Sequence, residues 1–227
     1  MKHYTIAIDG PSGAGKSSSA EELARRLSIA HLDTGAMYRA LACALRADGI
    51  DPSKEEEVIP ALPAYRLSVE FTAQGQRTIV NERDWTESLY EHEISQAASD
   101  VSRYPAVRRY LVTEQRRIAE GQSFILDGRD IGTVVLPNAD WKFFLTASPE
   151  VRARRRLKDL AAKGEELTFA EVLTDIQRRD EQDQSRTDSP LRQASDAFLI
   201  DSSDLNFEQV IEYMAQIIEE KMDCQDV

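Results

Sequence analysis

The sequence is poor in the residues that build disulfides and zinc sites. Its two cysteines, Cys43 and Cys224, lie far apart, and neither has a second cysteine or a histidine at ligand spacing. A disulfide framework and a zinc finger are therefore not expected. The three histidines, His3, His31 and His92, fit no catalytic motif.

Long apolar runs are also missing. The longest runs, such as Phe143–Leu145, have the length of a strand, whereas a membrane-spanning helix needs about 18 apolar residues. The first residues, Met1–Tyr4, lead into an apolar strand pattern without the features of a signal peptide. We therefore expect a cytoplasmic protein with no membrane partner.

The sequence has no excess of positive charge. Its 28 lysines and arginines stand against 40 aspartates and glutamates, and the net charge of −12 disfavours a broad nucleic-acid surface. The 41% hydrophobic and 30% charged residues are typical of a globular protein, and the length predicts one domain over residues 1–227. Arginines nevertheless concentrate between Arg103 and Arg186, either as surface ion pairs or as a local anion site.

Apolar periodicity predicts an α/β fold. A buried strand at Tyr4–Ile8 precedes an amphipathic helix at Lys16–Leu27, and a short strand at Ala30–Leu32 precedes a helix that begins near Thr34. Further buried strands are predicted at residues 124–126, 142–145 and 198–200. The alternation of strand and helix implies a parallel sheet flanked by helices.

One segment breaks this alternation. Residues 66–71 and 78–80 alternate with period two on either side of Gln74–Gln76, which predicts an antiparallel hairpin with one exposed face. We interpret about 60–90 as a small inserted β subdomain. Helical patterns then continue to about Gly121, with a break at Tyr104–Pro105.

A phosphate-binding loop lies between the first strand and the first helix. The residues Gly10, Pro11, Ser12, Gly13, Ala14, Gly15, Lys16 and Ser17 fit the pattern G-x-x-x-x-G-K-[ST]. Glycines let successive backbone N–H groups turn towards phosphate oxygens, and the helix N-terminus adds positive charge there. We expect Lys16 to reach the β- and γ-phosphates and Ser17 to hold Mg²⁺. The context favours nucleoside triphosphate binding over an empty glycine-rich turn.

The arginines downstream of the loop favour a kinase with a small anionic acceptor. A GTPase would need a guanine-reading N-K-x-D sequence, and the nearest stretch, Asn81–Asp84, lacks the lysine. Two alternatives stay open at this point. One is a P-loop kinase that acts on UMP, AMP or a hydroxylated metabolite, and the other is a nucleotide-binding regulator without turnover.

Two strand exits carry candidate acceptor-binding residues, because ligands bind where the strands of a parallel sheet end. After the second strand, Thr34 is either a helix N-cap or a ligand contact, Tyr38 is either core or contact, and Arg39 is the stronger candidate. After the strand at 124–126, the set of Asp127, Arg129 and Asp130 either forms a turn with a local ion pair, or it orients Arg129 onto a phosphate and Asp130 onto a base or sugar. We favour the functional interpretation of this second exit.

Two later segments add basic side chains. The apolar stripe of a helix that begins near Thr168 becomes charged at Arg179, Asp183 and Arg186, which fits a helix that runs from core into a polar cleft. The alternative is a surface ion pair between Arg179 and Asp183. The basic run at 150–158 is either a solvated face or a lid that closes over the triphosphate, and there Arg152 and Arg156 are candidate catalytic residues beside Lys16 and Arg129.

The sequence resembles bacterial cytidylate kinases over essentially its whole length. The resemblance is carried by the phosphate loop, by Leu32–Arg39, by Asp127–Val135 and by the Arg-Arg-Asp-x-x-Asp-x-x-Arg pattern at 178–186. It implies a P-loop nucleoside monophosphate kinase fold and transfer of the ATP γ-phosphoryl group to CMP or dCMP with Mg²⁺. It also implies a monomer, a monophosphate-binding insert at about 60–100 and a lid at about 149–167.

The resemblance further assigns roles to single residues. It implies that Arg39 and Arg129 hold the acceptor phosphate, that Ser99, Arg108, Asp130 and Arg186 contact the cytosine edge, that Arg179 and Asp183 contact the sugar, and that Thr34 and Tyr38 line the acceptor site. Two positions depart from the family pattern. Ser17-Ser18 replaces Gly-Thr, so that either hydroxyl is a candidate for the metal and Ser18 joins the donor-binding set. Thr34 stands where serine is common.

Overall fold

The computed structural model describes residues 3–162 and 164–223, which form two compact units. The first unit contains the residues before Ala30 and after Gln122, and the second contains the residues between. Cys224, the two ends of the predicted 1–227 domain and position 163 of the predicted lid lie outside the described residues. No helix in the described part of the chain has the length and apolar character needed to cross a membrane.

The elements alternate as the periodicity predicts. In chain order they are β1 (Thr5–Asp9), α1 (Lys16–Leu27), β2 (Ala30–Asp33), α2 (Thr34–Ala47), α3 (Glu55–Ala61), β3 (Leu67–Thr72), β4 (Gly75–Val80), β5 (Arg83–Asp84), α4 (His92–Val101), α5 (Pro105–Ala119), β6 (Phe124–Gly128), β7 (Trp141–Thr146), α6 (Pro149–Ala162), α7 (Phe169–Ser185), β8 (Phe198–Asp201) and α8 (Phe207–Asp223). Short 3-10 segments cover Leu62–Ala64 and Thr86–Tyr90, and a π-helical turn covers Ile131–Val135.

The first unit is built on parallel strands. β1 lies between β6 and β7, β8 pairs with β7, and all these pairs are parallel. β1, β6 and β7 are largely apolar, as is usual for parallel strands that helices cover on both faces, whereas Phe198 and Leu199 of β8 are exposed. Ile8 pairs with Asp127 and Asp9 pairs with Gly128, so the carboxyl ends of β1 and β6 lie at the same edge of the sheet.

The core of the first unit joins the sheet to α1 and α8. Ile6, Ile8, Ile125 and Phe143 are fully buried, and the apolar faces of the two helices belong to the same cluster. Each such side chain contributes about 1.5–3 kcal/mol of transfer free energy relative to exposure. A second cluster joins α6 to α7 through small and branched side chains. The packing therefore fixes the two helices that carry Arg152, Arg156 and Arg179.

The second unit contains α2, α4 and the predicted hairpin. β3 and β4 are antiparallel, with Thr72 opposite Gly75 across a two-residue turn, and the left-handed φ of +113° at Gly75 suits glycine. The hairpin and the parallel sheet are therefore confirmed. The two-residue strand β5 and the π-helical turn were not predicted, because neither is long enough to show a period. The predicted insert of about 60–100 lies inside this unit, and its monophosphate-binding role stays a prediction.

Candidate active site

The phosphate loop connects β1 to α1 with glycines where the backbone requires them. A Cβ at Gly10, whose φ is +150°, would lie 1.9 Å from the carbonyl oxygen of Leu145. Gly15, with φ +94°, is the N-cap of α1 and provides no side-chain cap. The N–H groups of the first helical turn therefore have no capping side chain, which is the arrangement that suits an anion at a helix N-terminus.

Lys16 is the buried cation of this loop. Its side chain is only 6% exposed, and its Nζ donates a hydrogen bond to the carbonyl oxygen of Pro11 at 2.9 Å. Burial and, to a smaller extent, the charge of Arg129 lower the pKa of Lys16 to about 7, although nearby carboxylates including that of Asp127 oppose the shift. A bound phosphate would favour the charged amine, since an opposite charge raises the pKa of a lysine.

Ser17 and Asp127 bring a hydroxyl and a carboxylate together beside the loop. The Ser17 hydroxyl donates a hydrogen bond to Oδ2 of Asp127 at 2.8 Å, and Asp127 is buried at the end of β6. Ser18, the other candidate hydroxyl, is exposed in the first turn of α1. Asp127 belongs to the strand exit predicted from the sequence, but no role of its own was predicted for it. The available signal was an acidic residue at the carboxyl end of a fully buried strand.

Asp9 is a second buried carboxylate, and no role was predicted for it from the sequence. Its Oδ1 accepts the N–H of Ile131 and its Oδ2 accepts the N–H of Gly132, both at 2.7 Å. Burial raises the pKa of Asp9 to about 7, against the lowering effect of these two hydrogen bonds. The carboxylate thereby attaches the π-helical turn that follows Arg129 and Asp130 to the end of β1.

Arginines of two distant segments meet at Asp183. Nε of Arg129 binds Oδ2 of Asp183 at 2.8 Å, and Arg186 binds the other carboxylate oxygen. Burial acts to raise the pKa of Asp183, but Arg129 and Arg186 outweigh it, so that the pKa lies below its ordinary value. Asp183 is 5% exposed, which excludes the alternative of an exposed Arg179–Asp183 pair.

Burial and the charge of Arg129 lower the pKa of Arg179 to about 10.

The second unit orients Arg39 through the N-cap of α2. Asp33 is that N-cap and accepts the N–H of Ala36 at 3.0 Å, while its Oδ2 binds Nη2 of Arg39 at 2.6 Å. The N-cap interpretation of Thr34 is therefore wrong, because Thr34 is the first helical residue and is buried. The physical reason is that the residue before it already supplies a stronger capping oxygen.

Other predicted acceptor residues also cluster in the second unit. The guanidinium carbon of Arg108 lies 5.7 Å from the ring centroid of Tyr38, and Nη1 of Arg108 donates to the carbonyl oxygen of Ser102 at 3.3 Å. The Ser102 hydroxyl in turn donates to the carbonyl oxygen of Ser99 at 2.8 Å. Tyr38 is half-buried rather than fully in the core. In the first unit, Asp130 is buried.

Comparison with known proteins decides the family. Residues 6–220 match the family model described as cytidylate kinase. The chain belongs to the cytidylate kinase family. It is 44% identical to a cytidylate kinase of Carboxydothermus hydrogenoformans over 96% of this chain and 98% of the relative. It is 46% identical to that of Caldanaerobacter subterraneus over 94% of this chain and 93% of the relative.

A solved structure supports the fold alone. An uncharacterized protein from Eubacterium ventriosum superposes with a TM-score of 0.55 at 11% identity, over 96% of this chain and 99% of that one. Family membership makes this kinase a phosphotransferase of the nucleoside monophosphate kinase class. The resemblance and the enzyme class that the sequence indicated are thus confirmed, whereas the roles of individual residues stay predictions.

The basic run of the kinase lies on α6 and does not behave as one surface. Arg154 is exposed, as a solvated face requires. Arg152 is buried and bonded to Asp180 of α7, so the solvated-face interpretation fails for that residue. Arg156 is half-buried, and its charge contributes to the lowered pKa of Arg179. The candidates Arg152 and Arg156 therefore differ in surroundings, although both were predicted from one charge run.

Proposed function

We propose that the chain transfers the γ-phosphoryl group of ATP to CMP or dCMP, forming ADP and CDP or dCDP. The observation that carries this proposal is the family match over residues 6–220. The phosphate loop with buried Lys16 supports the donor side. The guanidinium groups of Arg129 and Arg186, brought together at Asp183, support an anionic acceptor.

The donor site is assigned to residues Gly10–Ser18. The uncapped N–H groups at the start of α1 and the amine of Lys16 would bind the β- and γ-phosphates, where they neutralise charge as the phosphorus–oxygen bond breaks. In this assignment Lys16 exchanges its hydrogen bond with Pro11 for a phosphate oxygen. The cost of burying the amine is already met by the fold, so that positioning needs little reorganisation.

The residues beside the loop fit Mg²⁺. Among the described residues, no group of three or more histidine, cysteine, aspartate or glutamate side chains could form a complete metal site. Mg²⁺ in kinases, however, takes one or two protein oxygens and completes its shell with water and substrate phosphates. Ser17 and Asp127 provide such oxygens 2.8 Å apart. When bound, Mg²⁺ would neutralise charge on the phosphates and orient them.

The acceptor residues are assigned as the resemblance implies. Arg39 and Arg129 hold the phosphate of CMP, with Asp33 and Asp183 orienting their guanidinium groups. The cytosine edge is assigned to Ser99, Arg108, Asp130 and Arg186, the sugar to Arg179 and Asp183, and the acceptor wall to Thr34 and Tyr38. The residues around 60–100 would enlarge the monophosphate site.

The chemistry requires no general base. A phosphate oxygen of CMP forms a bond to the γ-phosphorus while the bond from that phosphorus to the bridging oxygen of ADP breaks. Because the attacking oxygen is already ionised at neutral pH, no proton has to be removed. Arg156 and the segment at about 149–167 are proposed to close over the triphosphate, which would exclude water from the reaction.

The decisive experiment is an acceptor panel with ATP as donor. We expect ADP release with CMP and dCMP to exceed that with UMP, AMP and GMP by at least about tenfold, since a site built to hydrogen-bond one base leaves polar groups unpaired with another. Greatest turnover with UMP or AMP, or with a hydroxylated metabolite added to the panel, would support the alternative kinase. Tight ATP binding without acceptor-dependent ADP release would identify a regulator and overturn the proposal.

A further inference from the structure

Arg152 donates four hydrogen bonds to the protein around it. Its side chain is 3% exposed, its Nε donates to the carbonyl oxygen of Ala147 at 2.8 Å, and its Nη1 donates to the carbonyl oxygen of Ser12 at 3.1 Å. Ala147 follows β7 and Ser12 belongs to the phosphate loop. One guanidinium group therefore connects the end of a central strand with the backbone that is proposed to bind ATP.

The same guanidinium group forms a two-bond fork with Asp180 of α7. Nη1 lies 3.0 Å from Oδ1 and Nη2 lies 2.5 Å from Oδ2. Parallel bonds of this kind are the strong and directional form of an arginine–carboxylate pair. The Asp180 side chain is 15% exposed, so solvent screens the pair only in part. Neither the donor site nor the acceptor site assigned above uses this carboxylate.

The loop also packs directly on the backbone of Arg152. A Cβ added at Gly13 would lie 3.2 Å from the Cβ of Arg152 and 3.4 Å from its carbonyl oxygen, so glycine permits this close approach. On the other side of the fork, Asp180 immediately follows Arg179 in α7 and lies one helical turn before Asp183. The pair thus joins the loop to the helix that carries the proposed sugar-binding residues.

We propose that Arg152 and Asp180 are positioning residues for phosphoryl transfer, whose ion pair fixes the phosphate loop relative to Arg179 and Asp183. The inference rests on the proposed function and replaces the expectation that Arg152 touches phosphate. Its physical basis is that reacting groups displaced by about 1 Å can lose about 100-fold in rate. The two residues act on the relative placement of the nucleotide sites, not on the affinity of either site alone.

The test compares Asp180→Asn, Arg152→Met and the double variant in the full chain. We expect each single variant to lower kcat per folded molecule by at least about tenfold, while the Kd values for ATP and CMP measured separately stay within about threefold. The double variant should be no more than about threefold worse than the poorer single variant, because both changes remove one shared interaction. Asp180→Glu, which keeps the carboxylate, should recover part of the kcat.

A matched control is available on the same helix. Asp175 forms a surface pair with Arg178 at 2.7 Å, and Asp175→Asn should keep wild-type kcat. Unchanged or increased kcat in Asp180→Asn would show that a released Arg152 acts on phosphate directly, which overturns the proposal. The proposal is also overturned if the kcat losses of the two single variants multiply in the double variant. The same holds if the single variants lower the melting temperature but leave kcat unchanged.

Folding defects do not remove the test. Should Asp180→Asn or Arg152→Met fail to fold, Arg152→Lys keeps the positive charge but cannot form the fork and reach Ser12 at the same time. Unchanged kcat in that variant contradicts the proposal. Failure of the proposed function is separate, because it appears as wild-type protein without acceptor-dependent turnover.

Discussion

Buried carboxylates stand at the carboxyl ends of neighbouring strands of this kinase, next to a buried amine. Asp9 ends β1, Asp127 lies at the end of β6, and Lys16 opens α1 between them in sequence. Charges in such positions persist only where other charges or hydrogen bonds compensate for lost hydration. Backbone N–H groups compensate for the lost hydration of Asp9, and the hydroxyl of Ser17 compensates for that of Asp127.

Asp9 should make stability depend on pH in a defined direction. Burial raises the pKa of Asp9 from 3.8 to about 7, so the folded state binds the proton more tightly than the unfolded state does. The resulting stabilisation of the fold is complete below about pH 4 and is lost as the pH rises through about 7. We expect Asp9→Asn to remove the resulting decline in the free energy of unfolding between about pH 4 and 7. Urea unfolding across this range measures it, with the exposed Asp204→Asn as the control.

Asp9→Asn should also lower stability at every pH, by about 1–3 kcal/mol, because an amide offers one acceptor oxygen to two N–H donors. A pH profile for Asp9→Asn that matches the wild-type profile would contradict the assigned origin of the decline.

At the residue scale, the sequence predicted the loop far better than its surroundings. Lys16 and Ser17 were predicted as site residues because a fixed pattern in a strand–loop–helix context has a known physical purpose. No role was predicted for Asp9 or Asp127, since a single acidic residue after an apolar strand is also what an ordinary strand end looks like. Only the pairing of Ile8 with Asp127 brings the second carboxylate to the loop.

Among the elements, α7 links core packing to the cluster of charges. Its Val172 and Ile176 are buried against α6, and two further turns along the same face bring Asp183 to Arg129. The stripe was predicted correctly because helical periodicity continues through a change from apolar to charged residues. The partner of Asp183 was not predicted, since 54 residues separate it from Arg129.

Asp183→Asn should be strongly destabilising. It removes the anion between two guanidinium groups in a buried position, and breaking one side of a buried pair costs about 3–5 kcal/mol. The surface variant Asp175→Asn on the same helix should cost about 0–1 kcal/mol. Chemical denaturation of both variants measures the difference. Similar losses for the two would show that the Asp183 cluster contributes no more than an exposed pair.

At the scale of the whole molecule, the chain divides into two compact units in a way that composition did not reveal. The period-two signal predicts an insert that begins near 60, whereas the compact unit that contains it begins at Ala30. β2 and α2 continue the strand–helix alternation in sequence, and their membership of this unit depends on packing with α4 and the hairpin. Periodicity describes local burial and carries no information on such long-range packing.

The two nucleotides should stabilise the whole molecule independently. A ligand at about 100 times its Kd adds about 2.7 kcal/mol to the free energy of unfolding, which for a chain of this size raises the melting temperature by about 5–10 °C. We expect Lys16→Met to lose most of the shift caused by ATP, to keep the shift caused by CMP, and to lower turnover by at least about 100-fold. Thermal melting and ADP release measure these effects.

The exposed Lys54→Met at the start of α3 is the matched control and should resemble wild type in both measurements. Equal loss of the ATP and CMP shifts in Lys16→Met would mean that the substitution disturbs the fold rather than one binding site.

The pairing of β1 with β6 limits the sequence changes that the chain can tolerate. Side chains of a strand alternate between the two faces of a sheet, so gaining or losing one residue within Phe124–Leu126 would turn Asp127 to the opposite face. The same slip would move the backbone after Gly128 away from Asp9. In functional descendants of this chain, residue types in that strand can drift among apolar side chains, but insertions and deletions there should be absent.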